Sequence, residues 1–162
     1  YKVSSVEELP VNFDGMRMAA GEEHSTKVYQ EHFDELTDIF RKQNRISEYA
    51  GFLNPYLAVR HLSMGMAGSD FNHYVHFQNE AEQYRYNLAQ GLNHIQATQL
   101  KYGDKETRLS TDTWKEFQPF VYETPQATWA LANHLVSFIA LLLWLVLVCT
   151  VGMKLIDKTK VA

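Results

Sequence analysis

The sequence predicts a mainly all-α chain: long amphipathic helices in an extracytoplasmic body, followed by one C-terminal transmembrane helix. Three observations predict it. Residues 127–153, ATWALANHLVSFIALLLWLVLVCTVGM, contain no Asp, Glu, Lys or Arg. Through much of the remainder, apolar residues recur at steps of three and four, the period of a helix with one buried face. The flanks of the apolar run also differ in charge, with acids before it and lysines after it. The expected organisation is therefore an extracytoplasmic helical domain over 1–126, a transmembrane helix over 127–153 and a basic cytoplasmic tail over 154–162.

The opening YKVSSVEELPVNFDGMRMAAGEEHS has short apolar pieces without a sustained period, so it reads as an extended lead-in with a candidate strand at VNFDGMRM. From about Thr26 the period becomes helical: Tyr29, Phe33, Leu36 and Phe40 share one face, and Ile46, Tyr49, Ala50 and Leu53 continue the stripe. Arg41, Lys42 and Arg45 crowd the other side as a solvated face. Asn54–Pro55 breaks the chain and restarts it, because Asn can cap and Pro suits the first helical turn. The short helix that follows, PYLAVRHLSMGMAG, stops at Gly68. Ser69 or Asp70 then caps a third helix running to about Lys101, with Tyr74, Phe77, Ala81, Tyr84, Leu88, Leu92 and Ile95 as its core stripe. YGDKETRLSTDTWKEFQPFVYETPQ is a loop with one helical turn around Trp114.

Thr124–Pro125 is the expected start of the last helix, a capping hydroxyl followed by proline. From Leu135 to Val151 the chain holds 12 Leu, Ile, Val or Phe residues. On an insertion scale these favour the bilayer by roughly 4 to 7 kcal/mol. A stretch of about 25 residues crosses a hydrocarbon core of about 30 Å with some tilt. Lys154, Lys158 and Lys160 follow the span, while Glu116 and Glu123 precede it. That lysine bias places the tail in the cytoplasm and the body outside. Asn133 and His134 fall near the outer end, where an interfacial polar role is the simplest reading.

Composition excludes some functions. Residues 1–126 carry 12 Lys+Arg against 18 Asp+Glu, so the body is acidic and offers no basic surface for nucleic acid. Cys149 is the single cysteine, which rules out an intrachain disulfide and leaves the redox compartment open. Tyr1 is not an initiator methionine, and the chain is expected to be part of something longer.

GSDFNHYVHFQNEAEQYR, residues 68–85, gathers the polar residues that could do chemistry. His73, His76 and Glu80 form an i, i+3, i+7 row that can supply metal ligands from one helix, with His94, His61 and His24 as candidates for the remaining position. No H-E-x-x-H or C-x-x-C spacing accompanies them. The structural alternative is preferred: Asp70 caps the helix and complements its positive end, the histidines sit at the edge of the core, and Glu82 pairs with Arg85. No serine or cysteine nucleophile stands beside an obvious base in the sequence, and no G-x-x-x-x-G-K-[ST] occurs, so neither catalysis nor ATP binding is expected of this chain.

LSMGMAGSDFNHYVHFQNEAEQYR, with NPYLAVRHLSM before it, resembles the signature of an uncharacterised domain of bacterial ABC transporter permeases of the type-2 export class. The likeness covers the chain from about Val11 onward. The positions matching the family pattern are Ala67, Gly68, Asp70, His73, His76, Phe77, Glu82, Tyr84 and Arg85. Ser69 replaces the usual threonine and keeps the hydroxyl, whereas Glu80 stands where the family commonly has a small residue. The resemblance implies a permease subunit in the bacterial inner membrane, this domain lying outside between the last two membrane helices. It implies as partners a separate ABC ATPase subunit, which binds the ATP, and the other permease helices or a second permease subunit, all within membrane lipid. No catalytic residue and no cofactor is expected in this chain. Two other readings remain: a membrane-anchored extracytoplasmic binding or sensor module, and a metal-dependent enzyme acting through His73 and His76.

Overall fold

The computed structural model describes residues 4–103 and 111–160, so residues 104–110 of the expected loop and the last two of the tail lie outside the described residues. Six α-helices follow one another: α1 Phe13–Tyr49, α2 Pro55–Met66, α3 Phe71–Gln99, α4 Thr111–Lys115, α5 Ala127–Asn133 and α6 Leu135–Lys160. Short 3-10 turns occupy Val6–Glu8 and Ala50–Phe52, and no strand occurs among the described residues. The chain divides into two compact units. One comprises Tyr1–Glu35 with Gln78–Tyr122, the other Leu36–Phe77 with Glu123–Ala162, and α1 and α3 contribute residues to both.

The candidate strand at VNFDGMRM is helical instead, because α1 starts at Phe13 rather than near Thr26. Asn12 explains the early start: its side-chain oxygen accepts the Asp14 N–H and its carbonyl accepts the Met16 N–H. Asp14 then sits in the first turn, where a carboxylate favours the positive helix end.

The inward face of α1 also differs from the expected stripe. Tyr29, Leu36 and Phe40 are exposed, while Asn12 and Thr37 are buried and Ala19, Glu22, Thr26 and Gln30 are half-buried. Polar and small side chains face inward because hydrogen bonds satisfy them. In the first unit Arg85 donates to Glu22 at 2.6 Å, to Glu82 at 2.7 Å and to Thr26 at 3.2 Å, and Gln90 donates to the Ala19 carbonyl at 3.0 Å. A similar inversion opens α3. Tyr74 and Phe77 point outward, whereas Asp70, His73 and Val75 are buried; the expected stripe turns inward from Ala81, with Tyr84, Leu88 and Leu92 half-buried and Ile95 buried.

Local signals elsewhere act as expected. Asn54 caps α2, its side-chain oxygen accepting the Tyr56 N–H, with Pro55 at the first position. Gly68 ends the turn after α2 with φ +68°, a left-handed conformation that costs glycine little. Asp70, rather than Ser69, caps α3 by accepting the Asn72 and His73 N–H groups.

The last helix starts later than Thr124–Pro125 suggests and is not continuous. Gln126 is extended and its carbonyl accepts the Trp129 and Ala130 N–H groups, so α5 begins at Ala127 and Pro125 lies outside. His134 leaves the helical region at φ −113°, ψ 26° and separates α5 from α6. In the second unit α2 packs on α5 and α6. The buried face of α6 is narrow: Ser137 and Ala140 are sealed, and the Trp144 indole N–H donates to the Gly51 carbonyl at 3.1 Å. Most of its leucines, isoleucines and valines are exposed.

Candidate functional site

The most ordered polar arrangement lies within the second unit and draws on two helices and one break. Glu48 comes from the last turn of α1, Asp70 from the α3 cap, His73 from the first turn of α3, and His134 from the break before α6. His134 Nδ1–H donates to Glu48 Oε1 at 2.9 Å, and its Nε2–H donates to Asp70 Oδ2 at 2.8 Å. His73 Nδ1–H donates to the other Asp70 oxygen. The result is a relay, Glu48–His134–Asp70–His73, with His134 only 3% exposed, so water does little to screen it.

The protonation state of the centre follows from donor inventory. An ionised carboxylate only accepts, so an imidazole lying between two of them presents N–H on both nitrogens and is an imidazolium. His134, which lies just before α6, accordingly has a raised pKa: the Glu48 hydrogen bond is the main cause, burial opposes it, and Asp70 adds to it. For Asp70 burial is the largest single influence and pushes the carboxyl up, but hydrogen bonds from His73, His134 and the His73 backbone together hold it below the ordinary value. Gly65 makes the arrangement possible. A Cβ on that residue would come within 2.2 Å of the His134 ring, so only glycine lets α2 approach so closely.

Beside the relay, Ser47 Oγ and His61 Nε2 share a hydrogen bond of 2.9 Å, and the His61 ring stacks 6.5 Å from that of His134. The His61 pKa is lowered, first by burial, and further by the positive charges of His134 and Arg60 against the pull of Glu48. A serine next to a neutral histidine is a nucleophile–base pair in outline, and the sequence, with the two 14 positions apart, does not reveal it. Among the described residues no carboxylate hydrogen-bonds the other His61 nitrogen, the orienting contact that such a pair uses in catalysis. The Trp129 edge covers the opposite end of the relay, 4.9 Å from the His73 ring and 5.7 Å from that of His76.

The candidate metal row is not brought together. His73 is turned to Asp70 and Trp129, His76 to Trp129, and Glu80 lies in the other unit, where its charge helps to raise the Tyr122 pKa after burial. His24 and His94 are exposed. Among the described residues no three His, Cys, Asp or Glu side chains are grouped to hold a metal. Asp70 could add no ligand bond cheaply: two backbone and two imidazole N–H groups already use its four acceptor sites.

The family described as Domain of unknown function (DUF3526) matches residues 1–123. The chain belongs to this family. No curated protein and no solved structure matches it. The likeness to an uncharacterised domain is thus met over most of the chain. Within the DUF3526 match, the motif residues sort into two sets. Ala67 and Gly68 form the turn that leads to Asp70 and His73 in the relay. Glu82 and Arg85 form an ion-pair cluster with Glu22, Arg85 being held firmly charged by its hydrogen bonds to Glu82 and Glu22. Tyr84 packs on Phe120 at 5.4 Å, and Phe77 is exposed. His134, the centre of the relay, lies beyond the DUF3526 match, which is one reason a motif reading of residues 67–85 did not find it.

Proposed function

We propose that this chain is the extracytoplasmic helical domain and last membrane helix of an ABC exporter permease of the type-2 class, working with a separate ATP-hydrolysing subunit. The observation that carries the membrane part is the surface of α6. Leu135–Thr159 is long and apolar enough to cross a bilayer, and only 11% of its most apolar window is buried, whereas the core helix of a water-soluble protein is mostly buried. Leu135 to Met153 spans about 30 Å at 1.5 Å per residue, which matches the hydrocarbon thickness. Lys154 and Lys158 then stand at the cytoplasmic end, and the bulk of residues 1–126 lies on the outer side. The exporter part rests on the resemblance of residues 67–85. In this reading the body shapes the exit side of the pathway, and the relay fastens it to the top of the last membrane helix through His134.

Topology tests the first part. In a Cys149→Ser background, a membrane-impermeant maleimide added to intact cells should label Gln83→Cys but reach Thr159→Cys only after permeabilisation. The opposite pattern removes the reading. Co-purification of an ABC ATPase with the intact protein, and loss of export with stimulated ATP hydrolysis on deleting residues 24–101, test the second part. A cavity of about 520 Å³ beside the relay favours one rival, a membrane-anchored binding module. Membrane insertion with no associated ATPase selects that rival.

A further inference from the structure

The cavity is lined by Arg41, Arg45 and Arg60 together with Glu48, Asp70 and His134. Glu48 and Asp70 share the single positive charge of His134, so the relay leaves one negative charge against the two positive charges of Arg45 and Arg60. Arg41 is shared with Asp38 at 3.2 Å. Arg45 and Arg60 are exposed and make no hydrogen bond or ion pair among the described residues. Positive charge is therefore left over in a recess of an otherwise acidic body, and paired guanidinium forks suit the oxygens of a phosphate.

The surroundings indicate which phosphate. Leu135 and Val136, the first residues of α6, line the same cavity, so on the membrane reading above, on which this inference rests, it opens at headgroup level. Below the arginines the surface changes character. Phe52 and above all Leu53, 86% exposed, lie at the tip joining α1 to α2. The Trp144–Gly51 hydrogen bond fixes that tip nine residues into α6, about 14 Å down the helix, or one leaflet of hydrocarbon. Arg45, six residues before Gly51, stands about 9 Å above that tip, and cationic groups over exposed apolar side chains follow the profile of a phospholipid.

We propose that this cavity binds an anionic phospholipid, Arg45 and Arg60 holding the headgroup phosphate while the acyl chains run down the apolar outside of the α2–α6 pair. Soluble phosphate offers the same anion without the chains. The test uses the intact protein extracted from membranes, exchanged into micelles containing phosphatidylglycerol or phosphatidylcholine, and examined by native mass spectrometry. Phosphatidylglycerol should be retained at about tenfold higher occupancy than phosphatidylcholine, the tenfold equivalent of about 1.4 kcal/mol. Arg45→Gln/Arg60→Gln should abolish the preference, and Arg45→Lys/Arg60→Lys, which keeps the charge but loses the forks, should retain part of it. Equal retention of both lipids, or inorganic phosphate raising the thermal midpoint as much as phosphatidylglycerol does, overturns the proposal. Alkaline carbonate extraction separates the two failures. Protein that stays in the membrane pellet without a lipid preference defeats the lipid site alone, whereas protein released by carbonate defeats the membrane reading and the lipid site with it.

Discussion

Asp70 does three jobs with one carboxylate: it caps α3, orients His73 and faces His134. Asp70→Ala removes the acceptor for a buried imidazolium, and breaking such a pair costs about 3–5 kcal/mol. Chemical denaturation in detergent should show that loss, with a much smaller one for Asp38→Ala on the surface. The relay also predicts a pH profile. The raised His134 value means its contribution is fully present below the ordinary 6.5 and is lost as pH rises through the folded value. The lowered Asp70 value means its contribution is fully present above the ordinary 3.8 and is lost as pH falls through the folded value. His61 acts oppositely to His134, since its lowered value makes protonation favour the unfolded chain. His134 and Asp70 are therefore both fully contributing between pH 3.8 and 6.5, His61 subtracting below 6.5, and the His134 contribution to the thermal midpoint should decline on the alkaline side. In His134→Gln the alkaline decline should flatten; an unchanged slope would assign it to other groups.

At the scale of elements, what could be read from sequence was what is local. Asn54–Pro55 and Gly68–Ser69–Asp70 are caps and stops whose chemistry acts within a few residues, and the helices they bound were legible. The start of α1 was not, because Gly15, Gly21 and the alternation in VNFDGMRM mimic an extended segment, while the deciding group is a single Asn12 cap. The inward faces of α1 and early α3 were misread for a different reason. Periodicity locates an apolar stripe but does not say whether protein or lipid covers it, and here polar residues such as Thr37 and His73 are the buried ones. The relay was invisible because its hydrogen bonds join residues 64 and 86 positions apart. One glycine tests how tightly the elements fit. Gly65→Ala should force the His134 ring off its two carboxylates, and overpacking of this kind costs about 1–3 kcal/mol. The matched control, Gly21→Ala, meets nothing within 4 Å and should leave stability unchanged or slightly raised through helix propensity.

At the scale of the whole molecule, the body and the apolar helix are not interchangeable parts joined by a linker. A chain ending at residue 126 would keep Glu48 and Asp70 but lose the imidazolium between them, and would uncover Ala58 and Gly65 where α2 now packs on α6. Such a truncation should melt broadly and bind a hydrophobic dye, whereas the full chain in detergent should melt with one sharp transition. A truncation that melts as sharply as the parent would show that the second unit does not need its last two helices. The same contacts have a mechanical meaning. Gly51 meets Trp144 at one end of the α2 segment and Gly65 meets His134 at the other, so α2 is pinned to α6 at two stations. Sliding by a single turn would vacate both at once. Any axial movement of α6 is therefore transmitted to α2 without slack, and compliance has to be found somewhere else.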